Sequence, residues 1–149
     1  MRLIRAEFRD ITFVYDCLKL LRGDVVFSES ELKEFLVSQA YFESISSANE
    51  ILVGWENGIP RGILSCSRFN IPRYLGQGVE LEEVIVAKEA QGLGFGSAMI
   101  ESFLQLVEHD PFIRRVIVKT DDLDGAGGLY EKYFSETGYR TFSKRINDL

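Results

Sequence analysis

The residues with the clearest chemical potential are the three glycines of the stretch QGLGFGS, residues 91–97, which stand directly before an apolar-periodic segment. Glycine costs roughly 1 kcal/mol relative to alanine inside a helix, so three glycines at a helix start need another explanation. The first N–H groups of a helix have no intrahelical acceptor, and the helix dipole adds partial positive charge at that end. Glycines let the backbone approach an anion closely. The stretch therefore predicts a phosphate-binding turn between a strand and a helix.

Two common nucleotide-binding loops do not fit this spacing. A Walker A loop requires a lysine after its glycines, and none follows here. The dinucleotide fingerprint is G-x-G-x-x-G, whereas Ser97 stands at the place of its third glycine. The spacing from Gln91 to Gly96 is instead Q-x-x-G-x-G. The alternative is a turn whose glycines serve close packing alone.

The hydrophobic pattern predicts the elements that would position this turn. The order is β-α-α-β-β-β-α-β-α-β, which indicates a mixed α+β domain with helices against a central sheet. Ser28 and Glu31 have the spacing of a capping box, with Leu32, Phe35 and Leu36 as the inward face of that helix. The predicted ranges are strands 3–6, 79–87, 114–120 and 139–146, a hairpin over 50–69, and helices 11–23, 28–38, 95–107 and 127–134.

Composition and charge limit the class of protein. The chain has 149 residues, which fits a single domain over 1–149, and a formal net charge of −6, which argues against a nucleic-acid partner. No apolar run reaches the roughly 18 residues that a membrane span needs. Cys17 and Cys66 lie in apolar-periodic segments and are predicted to be buried free thiols of a cytoplasmic protein. The lone His109 and the distant cysteines argue against a metal site or a serine-hydrolase triad.

The wider segment LEEVIVAKEAQGLGFG, residues 81–96, resembles the GCN5-related N-acetyltransferase (GNAT) superfamily. Members of that family carry L-E-D-L-x-V-x-P-x-x-R/Q-G-x-G-x-G along their fourth strand and the loop after it. The stretch AGGLYEKYF, residues 126–134, is similar to the family's A-x-x-L-Y-E-K. The resemblance implies a mostly antiparallel sheet with splayed fourth and fifth strands, flanked by about four helices. The sequence departs from the family pattern at two positions. Leu123 stands where the family has an asparagine, and Gly138 lies eight residues after Tyr130, whereas the family's glycine lies four residues after its tyrosine.

The resemblance implies an acetyltransferase that uses acetyl-CoA as co-substrate and no metal. The backbone around Val84, Ile85 and Val86 would bind the acetyl and pantetheine groups. The loop would hold the diphosphate through the seven residues Gln91, Gly92, Leu93, Gly94, Phe95, Gly96 and Ser97. The acceptor would be a primary amine of a small molecule or peptide, and the family also includes homodimers.

The resemblance also implies catalytic residues. Tyr130 would protonate the departing thiolate, with Tyr133 as the reserve candidate. Glu82 matches the family's frequent strand-four glutamate, and its neighbour Glu83 is expected on the opposite face of the strand. Alternation does not choose between the two glutamates as the base, and either could instead attract a cationic substrate. Two other functions stay open, a CoA-binding sensor without catalysis and a domain that binds no CoA.

Overall fold

The structure is a computed structural model that describes residues 1–21, 25–44, 49–120 and 126–146. The chain divides into two compact units, residues 1–119 and 120–149. The elements of the first unit are β1 (Arg2–Arg5), α1 (Ile11–Leu18), α2 (Glu29–Ser38), β2 (Asn49–Glu56), β3 (Ile59–Ile71), β4 (Gly76–Val86), α3 (Phe95–Glu108) and β5 (Ile113–Val118). The second unit contains α4 (Ala126–Tyr130). None of the helices in these described ranges has the length and apolar character needed to cross a membrane.

The five strands form one sheet in the order β1-β2-β3-β4-β5. All neighbouring pairs are antiparallel except β4 and β5, which run parallel. The predicted mixed fold with a mostly antiparallel sheet is therefore confirmed. Pairing between β4 and β5 extends only from Gln77 to Leu81, so the residues from Glu83 to Val86 have β3 as their only strand partner in the described chain.

Helices pack on both faces of the sheet. On one face, α1 and α2 bury Val14, Cys17 and Leu32 against the strand residues Val53 and Ile63. On the other face, α3 buries Met99, Ile100, Phe103 and Val107. A fully buried aliphatic side chain contributes about 2 kcal/mol by its removal from water. These two layers hold β4 and the start of α3 in fixed positions.

Two local predictions, the capping box of α2 and the β2–β3 hairpin, are confirmed by hydrogen bonds and by backbone angles, respectively. Ser28 Oγ accepts a hydrogen bond from the Glu31 N–H at 3.2 Å, and a Glu31 carboxylate oxygen accepts one from the Ser28 N–H at 2.7 Å. Such a capping box stabilises a helix start by about 1 kcal/mol. The β2–β3 hairpin turns at Asn57 and Gly58, whose φ angles of 51° and 75° fit a two-residue turn.

Three predictions about element limits and faces are wrong. Phe35 is 59% exposed, since the buried face of α2 is formed by Leu32 and Leu36 alone. Helix α1 ends at Leu18 rather than 23, because Leu20 and Leu21 donate to the carbonyls three residues earlier, which closes the helix with a tighter turn. Strand β5 ends at Val118 rather than 120, and it includes the exposed Arg114 and Arg115.

The predicted last strand, residues 139–146, is also wrong. These residues have neither strand nor helix assignment, and Tyr139, Phe142 and Ile146 are each more than three-quarters exposed. Alternating residue types favour a strand, but a strand exists only when its backbone pairs with a neighbour. Here the sequence pattern is present without that pairing.

Candidate active site

The glycine-rich loop leaves the end of β4 and leads into α3. A single tight turn, Lys88–Ala90, is anchored by the buried Ala87 and Ala90, whose backbone groups share a 2.8 Å hydrogen bond. Gly92 and Gly94 then adopt φ angles of 77° and 84°, which residues with side chains rarely adopt. A Cβ atom at either glycine would meet no described heavy atom within 4 Å. The space above the loop is therefore open.

Helix α3 begins without a side-chain cap. Gly94 is the N-cap residue and offers no side-chain oxygen. The first intrahelical bond runs from the Ala98 N–H to the Gly94 carbonyl at 3.1 Å. The N–H groups of Phe95, Gly96 and Ser97 thus precede the first residue that can donate within the helix. A helix start of this kind can bind an anion, which is the role that the glycine spacing predicts for it.

The last part of β4 exposes backbone groups beside this loop. The Ala87 N–H donates to the Arg61 carbonyl of β3 at 2.8 Å. Because successive residues in a strand direct their backbone groups to opposite sides, Val86 and Val84 direct theirs away from β3. The Val86 carbonyl accepts a 3.3 Å hydrogen bond from the Gln91 side chain, which fits this direction. Ile85 directs its backbone toward β3.

A β-bulge lies where the pairing with β5 stops. Ser65 of β3 faces Glu83, but the next residue, Cys66, faces Leu81, so Glu82 is an extra residue without a partner on β3. A bulge shifts the alternation of side chains by one. Leu81 and Glu83 therefore lie on opposite faces of the sheet although they are two residues apart.

The bulge places both glutamates on one face. Ser65 Oγ donates to a Glu83 carboxylate oxygen, and Ser67 Oγ donates to Glu82 Oε1 at 3.0 Å. Ser65 and Ser67 are two residues apart in β3 and so share a face. The expectation that Glu82 and Glu83 point to opposite faces is wrong, because it assumes regular alternation through the bulge.

The two carboxylates differ in their surroundings. Glu82 is exposed, whereas Glu83 is half-buried. Burial raises the pKa of Glu83 above its ordinary value near 4.5, and the negative charge of Glu82 raises this pKa further. The Ser65 hydrogen bond lowers the pKa of Glu83 and only partly offsets burial. A half-buried carboxylate whose pKa is raised is a stronger base than an ordinary glutamate.

Tyr130 is the last residue of α4 in the second unit. Its carbonyl accepts a hydrogen bond from the Phe134 N–H at 2.9 Å, which closes one more turn after the helix. The ring centroids of Tyr130 and Phe134 are 6.3 Å apart in an edge-on arrangement. Both Tyr130 and Tyr133 are half-buried. Leu123, at the position of the family's asparagine, lies outside the described residues.

Sequence reasoning misses Ser65, Ser67 and Arg61 as neighbours of the site. Their relation to β4 depends on the β3–β4 register and on the bulge, and neither can be predicted from residue types.

The buried free thiols are confirmed at Cys17 and Cys66, and burial raises the pKa of each to about 12. Among the described residues, no group of three or more histidine, cysteine or acidic side chains could hold a metal ion.

Comparison with known proteins assigns the chain to a family. Residues 14–135 match the model of the acetyltransferase (GNAT) family. The chain belongs to the GNAT acetyltransferase family. The match covers the glycine loop, the bulge in β4 and Tyr130, so all the predicted site residues lie inside the GNAT segment. A search of curated protein sequences found no match.

Several solved acetyltransferase structures share the fold at low sequence identity. A ribosomal-protein-alanine N-acetyltransferase from Brucella melitensis has a TM-score of 0.77 at 15% identity, with 98% of this chain and 99% of that chain covered. A possible acetyltransferase from Clostridium difficile has a TM-score of 0.80 at 13% identity, covering 99% and 98%. An aminoglycoside acetyltransferase from an uncultured soil sample, in complex with sisomicin, has a TM-score of 0.65 at 12% identity, covering 99% and 95%. Identities this low support the shared fold alone.

Proposed function

We propose that the protein is an N-acetyltransferase that moves an acetyl group from acetyl-CoA to a primary amine. The observation that carries this proposal is the uncapped start of α3 directly beside the unpaired side of β4. Free backbone N–H groups are thereby available for a diphosphate at the loop and for an acylated pantetheine arm along the strand. Membership of the GNAT family supports the same donor.

The donor would lie along β4 and the loop. The N–H groups at the start of α3, with Gly92 and Gly94 providing room, would hold the diphosphate. The backbone groups of Val84 and Val86 that point away from β3 would hydrogen-bond the acetyl and pantetheine groups. The glycines matter because a side chain at either position would stand in the space above the loop.

We assign the role of base to Glu83 and keep Glu82 as the alternative. A cationic amine first loses one proton to water, which frees its lone pair, and the neutral nitrogen then loses a second proton as it attacks the thioester carbonyl carbon. The Glu83 carboxylate takes this second proton. Its raised pKa makes it a stronger base than an ordinary glutamate and therefore a better proton acceptor for the amine. The exposed Glu82 would attract the cationic amine to the same face of the sheet.

Tyr130 is the proposed acid. When the carbon–sulfur bond breaks, the CoA thiolate takes the phenolic proton of Tyr130. A phenol near pKa 10 and a thiol near 8.5 are close enough for this transfer. The support for Tyr130 is the similarity of AGGLYEKYF to the family's motif, and Tyr133 is the reserve.

The acceptor is proposed to be a cationic amine of a small molecule or peptide. Two carboxylates on one sheet face, at the point where β4 and β5 separate, favour an acceptor that arrives positively charged. Neither nucleic acid nor a membrane is a proposed partner. A cytoplasmic setting fits the two buried free thiols.

Turnover separates this function from a CoA-binding sensor on the same fold. Acetyl-CoA is incubated with the protein and a panel of diamines, amino sugars and peptides with free amino groups, and released CoA thiol is measured. We expect amine-dependent release for at least one acceptor. Binding of acetyl-CoA with no release across the panel would instead favour the sensor, and the departures at Leu123 and Gly138 give that alternative its basis.

A further inference from the structure

Arg61 is a half-buried arginine whose side chain lies next to the start of α3. Its guanidinium carbon is 5.0 Å from the centroid of the Phe95 ring, and Phe95 is the first residue of that helix. Phe95 packs against the buried cluster that includes Ala87 and Ala90, the residues at the two ends of the turn before the glycine-rich loop. The Arg61 carbonyl also accepts from Ala87, immediately before the turn that begins the loop. Backbone and side chain thus both place Arg61 beside the loop.

The Arg61 side chain has an unsatisfied hydrogen-bond donor. Its Nε atom is buried and has no hydrogen-bond partner in the structure. Leaving a buried donor of a charged group unpaired is costly, so native proteins rarely do so without a reason. No carboxylate in the described part of the chain forms an ion pair with Arg61. Because Nε is enclosed, the atoms that can reach an anion are the two terminal Nη groups, for which the described part of the chain offers no hydrogen-bond or ion-pair partner.

The glycine-rich loop itself lacks a positive side chain. Residues 91–97 contain no lysine or arginine, and the chain as a whole has a net charge of −6. The diphosphate and 3′-phosphate of CoA bring several negative charges to such a loop. Backbone N–H groups supply only partial charges, whereas a guanidinium supplies a full charge and two parallel donors. A cation close to the loop would complete the site.

We propose that Arg61 binds a phosphate group of the CoA nucleotide and so positions the donor. The inference rests on the proposed acetyl-CoA site and adds to it a side chain from β3, outside the glycine motif. The shared chemistry is a charge-assisted hydrogen bond to a phosphoryl oxygen, which either the diphosphate or the 3′-phosphate can accept.

The test compares three ligands in three proteins by calorimetry. The ligands are CoA, 3′-dephospho-CoA and pantetheine, which has no phosphate. The proteins are wild type, Arg61→Met and Arg5→Met. Arg5 is the matched control, because it too is half-buried, has a buried unpaired Nε and lies 4.3 Å from an aromatic ring, that of Tyr41. It belongs to β1 at the far edge of the sheet.

We expect Arg61→Met to weaken CoA binding about tenfold and to leave pantetheine binding unchanged, as for the loss of one charge-assisted bond. If Arg61→Met loses equal affinity for CoA and for 3′-dephospho-CoA, the contact is with the diphosphate. If it loses affinity for CoA alone, the contact is with the 3′-phosphate. Arg5→Met should bind all three ligands as wild type does. The salt dependence of CoA affinity should also be shallower in Arg61→Met than in wild type.

Two results would overturn the inference and leave the proposed function intact. One is CoA affinity within twofold of wild type in Arg61→Met. The other is an equal loss for pantetheine, which would show that Arg61 supports only the shape of the loop. If Arg61→Met does not fold, Arg61→Lys retains the charge and should keep most of the preference for CoA over pantetheine; loss of that preference counts against a charge contact. Failure of the wild-type protein to bind CoA would overturn the proposed function and this inference together.

Discussion

Glu83 and Glu82 are adjacent in the sequence but have different surroundings. Glu83 is half-buried and accepts a hydrogen bond from Ser65, whereas Glu82 is exposed and accepts a hydrogen bond from Ser67. The sequence predicts a pair of acidic candidates here, but it does not predict which of them is buried. That difference arises from the bulge at Glu82, which turns Glu83 onto the face of the two N-terminal helices.

Replacement of Glu83 by glutamine should therefore affect both turnover and stability. As a base, Glu83 must be ionised, so wild-type turnover should rise with pH through a pKa above 4.5. Glu83→Gln should lower turnover about a hundredfold and remove that rise. The pKa of the Glu83 carboxyl is higher in the folded than in the unfolded protein, so its protonated form favours folding. This stabilisation is complete below the pKa of the unfolded state and is lost as the pH rises through the pKa of the folded state. The melting temperature of Glu83→Gln relative to wild type should thus increase from about pH 4 to about pH 8.

Glu82→Gln is the matched control for this prediction. It removes a neighbouring charge on the same face but not the half-buried carboxyl. We expect turnover to fall less than tenfold, with the pH dependence retained. If Glu82→Gln shows the larger loss and Glu83→Gln keeps the wild-type pH profile, the two roles must be exchanged.

Tyr130→Phe tests the proposed acid. The substitution removes only the hydroxyl and keeps the ring that packs on Phe134. Turnover should fall by about a hundredfold, because the thiolate would leave without its proton donor, while the affinity for acetyl-CoA stays within about twofold. Tyr133→Phe, another half-buried tyrosine of the same segment, is the control. Normal turnover in Tyr130→Phe together with a loss in Tyr133→Phe would transfer the role to Tyr133.

The start of α3 is the element whose conformation follows most directly from the sequence. The glycine spacing predicts a tight turn between a strand and a helix, and the structure has Gly94 at the N-cap with a φ of 84°. The capping box of α2 and the hairpin turn at Asn57 and Gly58 are likewise predictable, because each depends on a few neighbouring residues. The bulge in β4 and the end of its pairing with β5 are not, since they depend on register between distant strands.

Gly94→Glu should strongly weaken the binding of acetyl-CoA at the start of α3. A glutamate there places a negative charge and a Cβ in the open space above the loop, and repulsion of a diphosphate should weaken acetyl-CoA affinity at least about a hundredfold. Gly58→Glu is the matched control. Gly58 has a φ of 75° and equally open surroundings, but it lies in the hairpin turn. Both variants should lose similar stability through the left-handed backbone, and only Gly94→Glu should lose binding. Equal acetyl-CoA affinity in the two variants would contradict a diphosphate site at Gly94.

At the scale of the whole molecule, sequence patterns predict the fold class better than the ends of its elements. Periodicity places four helices and the main strands in the correct order, because burial of one face is encoded residue by residue. It is wrong for the strand predicted over 139–146, since a strand also needs a partner that periodicity does not specify. The acceptor pocket is beyond this kind of prediction, because irregular segments and not repeating patterns determine its shape.

The most direct test of the account is the thermal stability of the intact protein with and without acetyl-CoA. A ligand that binds only the folded state adds about 2.7 kcal/mol at a hundred times its Kd, and each kcal/mol raises the melting temperature of a domain of this size by roughly 2–4 °C. We therefore predict an increase of roughly 5–10 °C with saturating acetyl-CoA. No increase at millimolar acetyl-CoA would contradict the central claim that the glycine-rich loop and β4 form an acetyl-CoA site.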